Sequence, residues 1–186
     1  MGTTGIGGAD SGGAVIWVTG LAEAGKTTVA RELVRQLVQR GKQPILLDGN
    51  EVRTALGMMT HGFDRESRIK TSMTYARLSQ LLAEQGHLVV VATISLFHEV
   101  QRHNRENQPD YFEVLLDVPV EELKRRDSKG VYSGNDAKDV VGIGQSAEFP
   151  THPDLVVTNY GDVDPKAAAT MIRLAHEERV PSSAVA

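Results

Sequence analysis

Short apolar runs bounded by polar or glycine-containing segments recur along the chain, and their lengths decide what they form. Ala14-Val15-Ile16-Trp17-Val18 is too short for a helix and is β-branched, so it reads as a strand. Pro44-Ile45-Leu46-Leu47, ending at Asp48, is a second strand, and Leu88 to Ile94 a third. The third is apolar throughout, which suits a central parallel strand covered on both faces. Phe112–Leu116 and Leu155–Val157 supply a fourth and a fifth. Between them the apolar spacing lengthens to three and four residues. Thr28–Arg40 places Val29, Leu33, Val34, Leu37 and Val38 on one stripe, with Gly41 as the stop. Arg65–Gln85 predicts a long helix with Ile69, Met73, Ala76, Leu81 and Leu82 inward and Gly86 closing it. Val120–Arg126 is a short helix, and Asp164–Arg179 a closing one with Pro165 in its first turn. There is no internal repeat. Residues 1–13, rich in Gly, Thr and Ser, have little to bury and read as a disordered tail ahead of one domain over 14–180.

Strands alternating with helices predict an α/β fold: a five-stranded parallel sheet with helices on both faces. Ligands of such sheets sit at the carboxyl ends of the strands. Those ends carry Gly20–Thr27, Asp48–Arg53, Ser95–His98 and Asp117, which are therefore read as one site. Gly20-Leu21-Ala22-Glu23-Ala24-Gly25-Lys26-Thr27 matches G-x-x-x-x-G-K-[ST], follows a predicted strand and opens a predicted helix at Thr28. Gly20 and Gly25 let the backbone curl so that several N–H groups face an anion, and the helix N-terminus adds partial positive charge. Lys26 can reach the β- and γ-phosphates and the Thr27 hydroxyl can ligate Mg²⁺. Glu23 is the odd member, and it is expected to point outward, since its carboxylate would otherwise repel the phosphates.

Composition narrows the partners. The 186 residues carry 20 Lys and Arg against 24 Asp and Glu, a formal charge of −4, which excludes the basic face of a general nucleic-acid binder. The absence of cysteine excludes a disulfide scaffold, a Cys-liganded metal and a thiol nucleophile, and it fits a reducing cytoplasm. No apolar run reaches the roughly 18 residues of a membrane span, so no membrane partner is expected, and no secretory signal is visible. The six histidines show no metal-ligand spacing and read as surface or capping groups. No N-K-x-D tetrapeptide reads guanine; Thr158-Asn159-Tyr160-Gly161-Asp162 does not match, so ATP is the expected nucleotide. The size class is that of a small kinase acting on a small molecule. Such chemistry needs a carboxylate near the acceptor hydroxyl and cations for an anionic acceptor. Asp48 is the candidate base or magnesium-organising group, against a strand-end turn, and Arg53 the anion clamp, against a solvated surface arginine. Arg65 and Arg68 share a helix face and either grip a phosphate or sulfate or form an ordinary charged first turn. Arg125-Arg126-Asp127 with Lys129 has the basic density of a lid over ATP. Asp117 either supports a magnesium or makes a turn before Pro119.

These segments together resemble the adenylylsulfate (APS) kinase family. The resemblance covers roughly residues 14–160. It rests on Gly20–Thr28, Ile45-Leu46-Leu47-Asp48-Gly49 with Arg53, Asp64-Arg65, Ile94-Ser95, Phe112 to Pro119, Arg126-Asp127-Ser128-Lys129-Gly130-Val131-Tyr132, Gly142-Ile143 and His152-Pro153-Asp154-Leu155. It implies a three-layer P-loop NTPase fold, transfer of phosphate from MgATP to the 3′-hydroxyl of adenylylsulfate, and a homodimer. By resemblance Asp48 is the catalytic carboxylate; Arg53 and Arg65 bind the acceptor's anionic groups. Ile94 and Ser95 line the acceptor segment, Phe63 is the candidate for packing on the acceptor's base, and Arg126 and Lys129 belong to the lid. The chain departs from the family on the acceptor side. Asp48-Gly49-Asn50-Glu51 replaces Asp-Gly-Asp-Asn, Ser67-Arg68 stands for Glu-Asn, and Thr93-Ile94-Ser95-Leu96-Phe97 for Phe-Ile-Ser-Pro. The lid runs Tyr132-Ser133-Gly134-Asn135-Asp136 without the usual basic residues. The run Thr93 to Glu99, followed by Asn104-Arg105-Glu106-Asn107-Gln108-Pro109, resembles a branch that includes cytidine diphosphoramidate kinases, which leaves a second acceptor class open; Glu23 and the thinned lid leave open an inactive ATP-binding, kinase-like regulator.

Overall fold

The apolar runs become β1 (Ala14–Thr19), β2 (Ile45–Asp48), β3 (Leu88–Ala92), β4 (Tyr111–Asp117) and β5 (Leu155–Thr158) of one parallel sheet in the order β2-β3-β1-β4-β5. The computed structural model describes residues 12–57, 62, 64–127, 130–132, 141–142 and 146–179. The tail expected over 1–13 lies outside the described residues up to residue 11. All six residues of β1 are buried, as a central strand flanked by two parallel neighbours and covered on both faces requires. β3 stops two residues short of the expected Ile94, because the chain bends at Ser95, whose φ of 31° cannot continue a strand.

The helices are α1 (Lys26–Gln39), α2 (Gly49–Ala55), α3 (Arg65–Glu84), α4 (His98–Asn107), α5 (Val120–Arg126) and α6 (Pro165–Arg179). α1 packs with α6, and α3 packs with α4. In α1 the inward stripe is rotated from the expected one. Val38 is exposed, while Ala30 and Gln36 are buried with Val29, Leu33 and Leu37. The reason is that α1 covers the sheet and meets α6 at once. Gln36 reaches α6 by donating to the Lys166 carbonyl at 3.2 Å and accepting from Thr170 Oγ1 at 3.2 Å. His176, expected on the surface, is buried on α6 with its ring edge-on to Phe112 at 5.5 Å.

α3 begins where expected, because the Asp64 carboxylate accepts from the Ser67 amide at 3.0 Å and the Ser67 hydroxyl at 2.7 Å. Its inward face is less apolar than the sequence predicts. Thr71, Ser72, Tyr75 and Ser79 are buried, whereas Leu81 is 55% exposed. α2 and α4 have no counterpart among the expected elements. α2 has a single buried apolar residue, Val52. α4 is polar almost throughout and is held by polar contacts instead of an apolar stripe. Gln101 Nε2 donates to the Glu148 carbonyl at 2.6 Å, and just past the helix Gln108 Nε2 donates to the Ala76 carbonyl at 2.7 Å. Arg105 pairs with Glu113 of β4 at 3.1 Å and with Asp154 at 2.7 Å. Burial pushes the Glu113 carboxyl above its usual range, and the Arg105 guanidinium pulls it back.

Removing that cation strands a carboxylate in the sheet. Arg105→Ala is expected to lower the unfolding free energy by about 3 kcal/mol, read from urea denaturation.

Candidate active site

Parallel strands bring their carboxyl ends to one edge, and a cleft of about 510 Å³ opens there. Its wall includes Ala22, Glu23, Gly25, Lys26, Thr27 and Thr28 from the phosphate loop, and Asp48, Asn50 and Arg53 after β2. Arg68, Thr71, Ser72 and Tyr75 of α3 and Thr93, Ile94, Ser95 and Phe97 after β3 complete the opposite side. Of the residues expected to form the site, the tertiary structure thus gathers most around one space.

The phosphate loop is shaped by three left-handed or unusual residues: Gly20 at φ 152°, Glu23 at φ 58° and Gly25 at φ 86°. A Cβ on Gly20 would lie 2.8 Å from the Leu116 carbonyl oxygen, so β4 leaves room only for glycine. Gly20, Leu21 and Ala24 are buried beneath the cleft and support it without lining it. Contrary to expectation, Glu23 is part of the cleft wall. Its left-handed backbone holds it there, and its charge bears on Lys26, a cation that offsets the repulsion an anion would feel. Lys26 Nζ curls back to donate to the Leu21 carbonyl at 2.6 Å. Burial pushes the Lys26 ammonium down to about 8, while the carboxylates of Glu23 and Asp48 pull it upward.

Asp48 is only 3% exposed and uses its two oxygens differently. Oδ1 accepts from the amides of Asn50 at 3.0 Å and Glu51 at 3.3 Å, capping α2. Oδ2 accepts from the Thr27 hydroxyl at 2.5 Å. The strand-end turn and the functional reading therefore coexist in one side chain. Behind it, Tyr75 donates to the Gly49 carbonyl at 2.9 Å, and burial pushes its phenol up to about 12, so it stays a donor. Ser95 is buried and donates to Ser72 Oγ at 2.8 Å, with Thr93 Oγ1 3.0 Å from Ser95 Oγ.

Other expected residues sit elsewhere. Arg65, expected at the acceptor, is not part of the cleft wall: it pairs with Glu148 at 2.5 Å and lies over the Phe97 ring, 5.7 Å from its centroid. Glu148 draws it away, because the same carboxylate also accepts from the His98 amide at 2.7 Å. Arg126, expected over the nucleotide, likewise turns from the cleft to Glu122 at 2.8 Å and to the Asn159 carbonyl at 2.9 Å. Asp117 is exposed at the end of β4 and does not line the cleft. Phe63 and Lys129 lie outside the described residues. The sequence reading missed Thr71, Ser72, Tyr75 and Thr93, whose only signal is position: Thr71 and Ser72 are adjacent on α3 with Tyr75 one turn on, and Thr93 follows β3.

Among the described residues no group of three His, Asp or Glu side chains could hold a metal, and no helix is long and apolar enough to cross a membrane. The sequence matches the family described as adenylylsulphate kinase over residues 12–158. The chain is 37% identical over 148 residues to the cytidine diphosphoramidate kinase of Campylobacter jejuni, covering 78% of this chain and 85% of that one. It is also 37% identical over 166 residues to the adenylyl-sulfate kinase of Pseudomonas aeruginosa, covering 86% and 83%. Its fold superimposes on the Mycobacterium tuberculosis APS kinase CysC, in complex with AMPPNP and APS, with a TM-score of 0.81 and 31% identity, covering 90% of this chain and 99% of that one. With that fold, that phosphate loop and those relatives, the chain belongs to the adenylylsulphate kinase family of ATP-dependent kinases, which phosphorylate a hydroxyl group.

Proposed function

We propose that this chain transfers the γ-phosphoryl group of ATP to a hydroxyl of a nucleotide-bearing anionic acceptor, with adenylylsulfate as the acceptor and its 3′-hydroxyl as the nucleophile. The observation that carries the reading is the 2.5 Å contact of Thr27 with Asp48, which places the acceptor-side carboxylate against the phosphate loop. Amides of the Gly20–Thr27 loop other than that of Ala24, which donates to the Leu21 carbonyl, hold the polyphosphate together with the α1 N-terminus. Lys26 leaves the Leu21 carbonyl and takes up charge on the β- and γ-phosphates. Asp48, fixed by its cap on α2, orients the acceptor hydroxyl in line with the γ-phosphorus. As the bond from phosphorus to the acceptor oxygen forms, the bond to the β,γ-bridging oxygen breaks, and the hydroxyl proton passes to Asp48. Arg53 and Arg68, which both line the cleft, supply positive charge for the acceptor's anionic group. The Thr27 hydroxyl and the Asp48 carboxylate are oxygen donors of the kind magnesium prefers, and such sites use few protein ligands. Thr27 would hold the ion, which when bound supplies charge neutralisation on the phosphate oxygens. The reading carries with it the homodimer that the family resemblance implies.

A second acceptor, cytidine diphosphoramidate, is favoured by the departures that face the cleft. Asn50 stands there in place of the family's acidic residue, and Phe97 lines the wall after a chain turn built on Leu96 instead of proline.

Supplying ATP and Mg²⁺ with each acceptor and following ADP release separates these readings. Turnover of adenylylsulfate is expected; turnover of cytidine diphosphoramidate alone selects the second reading, and turnover of neither overturns both. Asp48→Asn keeps the cap on α2. It is expected to lower kcat by about a hundredfold or more, measured in steady state. Lys26 gives a pH signature. Its folded pKa lies below the unfolded value of 10.5, so between about 8 and 10.5 the unfolded chain holds more protons. The ligand-free protein therefore gains stability from this group as pH rises through that window. A bound polyphosphate restores the charge, so nucleotide binding near pH 9 is expected to take up about one proton, absent in Lys26→Met. Calorimetry in buffers of different ionisation enthalpy measures it.

A further inference from the structure

A curled phosphate loop works only if its carbonyl oxygens turn outward while its amides turn in. Outward carbonyls need donors. Leu21 O is satisfied by Lys26 Nζ at 2.6 Å and the Ala24 amide at 3.3 Å, and Gly25 O by the Val29 amide at 2.9 Å within α1. The first of these partners departs when Lys26 turns to a phosphate. Two carbonyls are held from outside the loop. Ala22 O accepts from the Tyr132 hydroxyl at 2.8 Å, and Ala24 O accepts from Asn159 Nδ2 at 2.8 Å.

Both donors are themselves fixed. Asn159 directly follows β5 and is 3% exposed. Its amide donates to the Asp117 carbonyl at 3.2 Å, and its carbonyl accepts from Arg126 at 2.9 Å. It also sits against the turn at Gly25, where a Cβ would come within 2.7 Å of its Nδ2. Tyr132 is fixed through the Asp127 carboxylate, which accepts from the amides of Val131 at 2.7 Å and Tyr132 at 2.8 Å. Both clamps thus trace back to consecutive residues, Arg126 and Asp127, at the end of α5.

We propose that Asn159 and Tyr132 are positioning residues for ATP binding: hydrogen bonds from outside the loop hold the Ala22 and Ala24 carbonyls outward and so preset the amide cradle. The basic Arg126 then acts on the nucleotide site through Asn159. This rests on the reading of the loop as the ATP site.

The test is calorimetric titration of the full-length chain with AMPPNP, together with thermal unfolding of the same samples. Asn159→Ala and Tyr132→Phe are each expected to weaken AMPPNP binding about three- to tenfold, the worth of one net hydrogen bond. Asn159→Asp keeps the shape but sets a carboxylate against a carbonyl, so a larger loss is expected. In turnover the KM for ATP rises while kcat at saturating ATP changes little. Affinity within twofold of the native chain, with or without a lowered melting temperature, overturns the proposal. If Asn159→Ala does not fold, Tyr132→Phe, which removes one oxygen atom, decides by the same criterion. If the native chain itself does not bind AMPPNP, the ATP reading falls together with the proposal; native binding with unaffected variants removes the proposal alone.

Discussion

A hydrogen bond between the Thr27 hydroxyl and the Asp48 carboxylate joins the start of α1, which the phosphate loop connects to β1, to the end of β2, although β3 lies between those two strands. Both residues line the cleft. Thr27 is held by the phosphate loop and the first turn of α1, while Asp48 is held by capping α2. Each is fixed by its own secondary structure, so their meeting follows from the strand order. On the proposed function, this brings the nucleotide side and the acceptor side of the cleft within the reach of one phosphoryl transfer, where positioning contributes most of the rate enhancement.

The charges of the cleft are arranged around this link. A carboxylate at Glu23 in an anion-binding loop looks unfavourable until the partly buried Lys26 is considered. Burial weakens the hold of Lys26 on its proton, and Glu23 with Asp48 partly restores it. Arg53 and Arg68 face the cleft, but Arg65 and Arg126 are engaged by Glu148 and Glu122. Four arginines that look equivalent in a sequence thus divide into two that face the cleft and two that brace its surroundings. The division is made by carboxylates at very different distances along the chain: Glu148 lies 83 residues beyond Arg65, whereas Glu122 lies one helical turn before Arg126.

Polar burial explains where apolar patterning misled. α3 turns the hydroxyl-bearing Thr71, Ser72 and Tyr75 toward the cleft, while its Leu81 faces outward. α4 is anchored through Gln101 and Arg105, whose partners Glu148, Glu113 and Asp154 arrive from β4 and the segment ahead of β5. A helix stabilised by hydrogen bonds to distant segments carries no 3.6-residue apolar signal of its own.

The sequence by itself determined the strands, the α/β class, the phosphate loop and the general position of Asp48 and Arg53. These depend on local propensity, on short-range motifs and on the rule that parallel strands present their carboxyl ends to one edge. Tertiary structure alone decided which hydroxyls line the cleft, that Glu23 joins its wall, that Arg65 and Arg126 turn away, and that Asn159 and Tyr132 reach the loop carbonyls. Arg65, Arg126, Asn159 and Tyr132 each make a hydrogen bond or ion pair to a residue at least 33 positions away. No window of neighbouring residues contains both partners of those bonds, so their geometry exists only once the sheet has assembled.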